Sequence, residues 1–230
     1  MELAEWIAEW TLAAKFTSPH IDNVDARIAS VLALCDLPVD PSWPRPEAED
    51  HKWSTGPYRR GDRLEPTSPE RIVEHQILGA GDQVADGRTC FGGAVVDGIN
   101  AIALTLTPKI EADLLLLVDH DGEHRLYLAE AKAMANTPWY ATIELLRQLR
   151  LFTASGHAAD YFHRQDSSIP QALPVTGLVL APAGYYTAAG QRSNSVEPAQ
   201  RLIAKVCSET DIDIRLATWD ATSGTIAELT

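Results

Sequence analysis

Two apolar runs with charged ends, set close together in the chain, constrain this sequence more than any other feature. Between Glu111 and Phe152, the runs Leu114–Val118 and Leu126–Ala129 are strand-sized and are divided by a polar turn through Asp119–Glu123. Residues two apart in a strand project to one face. Glu111 and Asp113 therefore share a side near the start of the first run, and Glu130 and Lys132 share one at the end of the second. If the turn folds the runs antiparallel, two or three carboxylates and one ammonium converge at one end of a sheet. Oxygen donors of that kind suit a hard divalent cation such as Mg²⁺, which takes one or two carboxylates from a protein and keeps several waters.

The flanking segments read as supports for this hairpin. Ser68-Pro69-Glu70 offers a cap, a first-turn proline and an acid at the positive end of a helix, which is expected to run to Gly79–Gly81. Ile72, Val73, Ile77 and Leu78 form its apolar stripe, and Glu70 and Glu74 share another face. Glu74 falls deeper in the apolar part, where a carboxylate needs a partner. A solvated edge position is the plain alternative for it. Thr137-Pro138 repeats the cap-and-proline signature before a stripe of Trp139, Ile143, Leu146, Leu149 and Phe152. Glu144 and Gln148 lie four apart on a more polar face of that helix, with Arg147 and Arg150 close by. Ile99–Thr107 reads as a strand ahead of the hairpin. Val175–Ala181, Val196–Ser208 and Ile212–Trp219 read as strand, helix and strand, a βαβ crossover with buried parallel pairing. The glycine-rich CFGGAVVDG at 90–98 lacks the spacing of a phosphate-binding loop. The class these elements imply is α/β.

Two further helices are expected near the N-terminus, over residues 1–16 and Val24–Cys35. Trp6 and Trp10 lie about one turn apart there, either packing the helices on the main domain or presenting a docking surface. Leu37–Thr67 is too rich in proline for helix or strand and reads as a linker. Its basic half holds Lys52, Trp53, Tyr58, Arg59, Arg60 and Arg63, a mixture found where single strands or phosphate backbones are held, and also in solvated loops. The organisation expected is a helical segment with linker over 1–67 and a main domain over 68–230.

The net charge of −13 argues against tight, non-specific DNA binding by this chain alone, because such binding depends on neutralising phosphates. It suits basic contacts supplied by a partner. Cys35, Cys90 and Cys207 show no paired spacing, which argues against a disulfide framework or a zinc site and fits a reducing compartment. No apolar run approaches the roughly 20 residues of a bilayer span. The N-terminal MELAEWIAEW is acidic where a secretory signal is basic. A cytoplasmic location without a membrane partner is therefore expected.

Asp113 on one strand, Glu130-Ala131-Lys132 on the next, and Glu74 or Glu70 on a preceding helix together resemble the PD-(D/E)XK nuclease superfamily over residues 68–220. Gln148-Leu149-Arg150-Leu151-Phe152 resembles the Q-h-x-x-Y element of its RecB-like branch, with phenylalanine in place of tyrosine. The family's proline before the aspartate is absent: Glu111-Ala112 precede Asp113, and the nearest proline is Pro108.

The resemblance implies a restriction-endonuclease-like three-layer αβα core with a mixed central sheet, to which the N-terminal helices read from periodicity are added. It implies Mg²⁺, or Mn²⁺ in its place, on Asp113, Glu130 and the Ala131 carbonyl. Lys132 would position the attacking water and stabilise developing charge. Glu74 would bind through water or hold a second metal, and Gln148 would orient substrate or metal-bound water. Arg147, Arg150, Lys52, Arg59, Arg60 and Arg63 would contact phosphates. The implied activity is hydrolysis of phosphodiester bonds in nucleic acid, DNA foremost, in a defence or repair setting.

The rival expectation is an inactive nuclease-fold protein serving as an acidic protein-binding module, as inhibitors and immunity proteins do, or as an assembly subunit. A protein partner or a second copy of the chain would then be its ligand. Glu130 and Lys132 would in that case be a surface ion pair of little energetic weight. Convergence of Asp113, Glu130 and Lys132 separates the two.

Overall fold

A computed structural model describes residues 1–15, 22–40, 42–43, 68–79, 86–106, 109–134, 136–154, 161–187 and 193–229. The elements are α1 (Leu3–Ala14), α2 (Val24–Cys35), α3 (Pro69–Leu78), β1 (Thr89–Cys90), β2 (Gly93–Leu106), β3 (Lys109–His120), β4 (Glu123–Ala131) and α4 (Pro138–Thr153). They continue with α5 (Tyr161–Gln165), β5 (Val175–Ala181), α6 (Ala183–Thr187), a 3-10 turn at Ser193–Ser195, α7 (Val196–Glu209), β6 (Asp213–Asp220) and β7 (Thr225–Glu228). Hydrogen bonding runs through the seven strands in chain order and returns from β7 to β1, so the sheet closes into a barrel.

The architecture is mixed α/β, as the sequence pattern implies. β2, β3 and β4 pair antiparallel, β4, β5 and β6 pair parallel, and β7 returns antiparallel to β6. Closure depends on β1, whose Thr89 and Cys90 pair in parallel with Thr225 and Ile226. Neither β1 nor β7 is foreseen in the sequence, because two and four residues are too few to show an alternating pattern.

Leu114–Val118 is buried throughout because both faces of β3 are covered. Leu115 and Leu117 join the core shared with α1, α2, α4 and α7, whereas Leu114, Leu116 and Val118 join a second core with Val73, Ile77 and Leu78 of α3. β2 begins at Gly93 rather than at Ile99, because Ala94 to Gly98 pair with β3 from Asp119 to Leu116. A Cβ on Gly98 would stand 2.7 Å from Leu78 Cδ2 and 2.9 Å from Leu116 Cδ2, so the glycine lets α3 lie close against the strand.

Trp6 and Trp10 are fully buried, with Trp6 packed on Trp10 and Trp43 at centroid distances of 5.5 and 5.4 Å. Trp139 Nε1 donates to the Ala13 carbonyl at 3.4 Å, fixing α1 on α4. The two tryptophans are core residues, and the docking-surface alternative is set aside. None of the described helices is long and apolar enough to cross a membrane.

Gly177 on β5 performs for α4 what Gly98 does for α3. A Cβ there would fall 2.4 Å from Leu149 Cδ1 and 3.3 Å from Leu145 Cδ2, both buried on α4. Gly177→Ala is expected to lower unfolding free energy by about 1–3 kcal/mol, the usual cost of overpacking. Chemical denaturation read by tryptophan fluorescence measures it, and an unchanged midpoint would show that α4 yields without cost.

Candidate active site

The hairpin register brings the charged strand ends together. Leu114 pairs with Ala129, and just beyond that pair Asp113 Oδ2 accepts the Ala131 N–H at 2.8 Å. Glu130 and Lys132 share a side, as the two-residue period requires, and the Lys132 ammonium donates to Glu130 Oε1. Both are buried, with Glu130 at 4% and Lys132 at 7% exposure, so they are not the surface ion pair of the plain reading. Ala131 is fully buried between them.

Helix α4 closes the site from one side. Thr137 caps it by accepting the Tyr140 N–H at 3.2 Å, with Pro138 in the first turn. Its supposedly polar face turns inward: Gln148 is 2% exposed. Gln148 Nε2 donates to Glu130 Oε2 at 2.5 Å and to the Glu111 carbonyl at 2.9 Å, while its Oε1 is buried without a partner. One turn earlier, Glu144 Oε2 accepts from Lys132 Nζ at 3.1 Å. Phe152 is buried in the core behind the site.

Helix α3 brings Glu74 from the other core. Ser68 caps that helix by accepting the Arg71 N–H at 3.2 Å. Glu74 is 6% exposed and takes a hydrogen bond from Asn100 Nδ2 of β2 at 3.2 Å. The solvated-edge alternative is thereby excluded, and Glu74 rather than the half-buried Glu70 is the helix acid that joins the cluster. Glu111 departs from it: its side chain is exposed and pairs with Lys109 at 2.6 Å.

Crowded carboxylates leave an electrostatic signature. Burial pushes the Glu74 carboxyl from 4.5 up to about 7, against the opposing effects of Asn100 and Arg71. Burial and then the Glu74 charge raise Asp113, while Lys132 and the Ala131 N–H oppose the rise. Burial and then Asp113 raise Glu130, with Lys132 again opposing. For Lys132 burial alone would lower the pKa, but Glu130 and Glu144 outweigh it and keep the side chain an ammonium.

Compared with protein-family models, curated proteins and solved structures, the chain matches none. What the site can do rests on its geometry.

Of the expected site residues, Asp113, Glu130, Ala131, Lys132, Glu74 and Gln148 come together. Arg147 also reaches the cluster, its Nη2 standing 3.8 Å from Glu144 Oε1. Arg150 does not: its Nη2 donates to the Leu37 carbonyl at 2.8 Å, tying α4 to the chain after α2. Lys52, Arg59, Arg60 and Arg63 lie outside the described residues. Among the described residues, no three histidine, cysteine or acidic side chains already form a metal cage. The donors are nonetheless hard oxygens of concentrated negative charge, and the orphaned Gln148 Oε1 faces no protein donor. That chemistry fits a divalent cation of the Mg²⁺ type.

Asn100 is not singled out in the sequence, and its bond to Glu74 links segments far apart in the chain. Glu144 is placed on the face of Gln148 by its spacing of four but is given no role there.

Proposed function

We propose that the chain is a metal-dependent nuclease of the PD-(D/E)XK kind, hydrolysing phosphodiester bonds in nucleic acid, DNA foremost, on a restriction-endonuclease-like core. One observation carries the reading: Glu130 at the end of β4 and Lys132 just past it, buried side by side, meet Asp113 of β3 and Gln148 of α4 in one cluster. An ion pair kept for stability alone would more cheaply be replaced by apolar packing, since burying charge is costly.

Asp113, Glu130 and the Ala131 carbonyl would hold Mg²⁺ or Mn²⁺, with Glu74 behind them binding through water or holding a second metal. Such an ion lowers the pKa of a bound water and offsets charge on the phosphate. Lys132, held as an ammonium, is unsuited to act as a base; its part is to position the attacking water and stabilise negative charge developing on the phosphate oxygens. Gln148 steadies Glu130 through its amide and presents Oε1 to substrate or metal-bound water. Arg147, a cation at the edge of the cluster, would meet a phosphate there.

The test is incubation of the full chain with linear, circular and single-stranded DNA in Mg²⁺ or Mn²⁺, with EDTA as control. Cleavage that requires the metal is the expected result. Absence of cleavage with either metal on every substrate would overturn the reading. The acidic binding-module alternative, which the net charge of −13 favours, would then direct the search to a basic protein partner.

A further inference from the structure

The least explained feature of the cluster is its second acid–lysine contact. Glu130 already has a donor on each oxygen, Lys132 on Oε1 and Gln148 on Oε2. A divalent cation ligated by Glu130 would therefore set a second positive charge beside the ammonium on one carboxylate. Repulsion between like charges in a buried site is strong, because little water is present to screen it. With Glu130 as its sole partner, Lys132 would be driven from the position from which it must act.

Glu144 supplies the other anchor. Its Oε2 lies 3.1 Å from Lys132 Nζ, and it comes from α4 rather than from the metal-binding strands. The two carboxylates that Lys132 bridges thus belong to different elements. Arg147 Nη2 approaches the opposite oxygen, Oε1, at 3.8 Å, and Arg147 Nε is buried without a partner. With one oxygen on Lys132 and the other facing Arg147, Glu144 has a cationic side chain beside each oxygen. The helix bearing it is held by its Thr137 cap and by Leu145 and Leu149 against Gly177.

We propose that Glu144 is a positioning residue that retains the Lys132 ammonium when a divalent cation takes up Glu130. The proposal rests on the nuclease reading and adds a division of labour to it. Glu130 passes from lysine partner to metal ligand, and Glu144 keeps the lysine throughout. A purely structural Glu144, joining α4 to β4, would matter equally with and without metal.

The experiment follows the Lys132 Nζ–Hζ signal in the full chain labelled with ¹⁵N-lysine, assigned by its loss in Lys132→Met. In the wild type the signal is expected to shift on Mg²⁺ saturation and persist. In Glu144→Gln it is expected to be present without metal, where Glu130 still holds the ammonium, and to vanish on Mg²⁺ saturation. Glu144→Asp, which keeps the carboxylate, should restore it. Single-turnover DNA cleavage at saturating Mg²⁺ gives an independent readout. Glu144→Gln should slow it about 10–100-fold, the usual effect of losing an outer-shell partner, with recovery in Glu144→Asp.

Persistence of the signal in Mg²⁺-loaded Glu144→Gln, an unchanged cleavage rate, or failure of Glu144→Asp to rescue would overturn the proposal while leaving the nuclease reading intact. Absence of uptake of both Mg²⁺ and Mn²⁺ by the wild type in calorimetry, together with absence of cleavage in either metal, would overturn both.

Discussion

Replacing Lys132 with methionine is expected to abolish metal-dependent DNA cleavage, with a fall of at least about 10²–10³-fold, the range for losing one group that stabilises transition-state charge. Methionine keeps much of the aliphatic stem and removes the ammonium. The variant leaves Glu130 and Glu144 without the cation that both now contact. Stripping one partner from a buried ion pair costs about 3–5 kcal/mol when the remaining charge cannot be neutralised. Glu130 can be neutralised, because its environment already favours the protonated acid. Lys132→Met should therefore be nearly as stable as the wild type under mildly acidic conditions and weaker under alkaline ones. Cleavage and circular dichroism are to be measured together at both. Loss of cleavage with the fold intact assigns Lys132 to the chemistry, whereas full activity in the folded variant would remove it. Lys132→Arg is a sharper companion: it preserves charge but substitutes a planar fork for a compact ammonium. It too should be inactive if the contacts to Glu130 and Glu144 set the position.

Local chemistry made much of this site legible before any coordinates. The polar turn through Asp119–Glu123 forces β3 and β4 antiparallel, and the two-residue period then puts Glu130 and Lys132 on one side beside Asp113. Ser68-Pro69 and Thr137-Pro138 each announced a helix start, and both serine and threonine side chains cap as expected. What could not be read depends on contacts between distant segments. Helical periodicity places Gln148 and Glu144 on one face, but cannot say that Glu111 and Glu130 cover that face. Gly98 lowers the strand signal of β2, and only the nearness of Leu78 shows why a glycine belongs there. Asn100 carries no local sign of its bond to Glu74. The barrel's closure through Thr89 and Cys90 depends on β7, more than a hundred residues onward.

The metal-free protein is expected to lose stability as pH rises through neutrality, and Mg²⁺ is expected to restore it. Glu74 titrates at about 7 in the fold against 4.5 for the free side chain, chiefly because it is buried. A carboxyl whose folded-state pKa exceeds its unfolded value holds its proton more tightly when native. Its contribution to stability is thus fully present below 4.5 and is lost as pH climbs to about 7. For Glu74 alone the shift corresponds to about 3 kcal/mol at most, lost across that window. Asp113 and Glu130 are raised for the same reasons and extend the loss in the same direction, but they share the charge and do not simply add. Melting temperature in EDTA should accordingly fall between about pH 5 and pH 8, by roughly 2–4 °C per kcal/mol for a chain of this size. Glu74→Gln, which cannot ionise, should flatten the profile and raise the melting temperature at the alkaline end. Mg²⁺ at about 100 times its dissociation constant should return about 2.7 kcal/mol at pH 8, and much less at pH 5, where protonated carboxyls bind cations poorly. A profile that is level in EDTA would mean that the carboxylates are solvated, and would remove the electrostatic case for a cation at this site. A falling profile that Mg²⁺ leaves untouched would keep the buried acids and dismiss the metal. The combination of a fall in EDTA, rescue by Mg²⁺ and a shallower fall in Glu74→Gln, where Asp113 and Glu130 still titrate, is what a site assembled to hold a divalent ion requires.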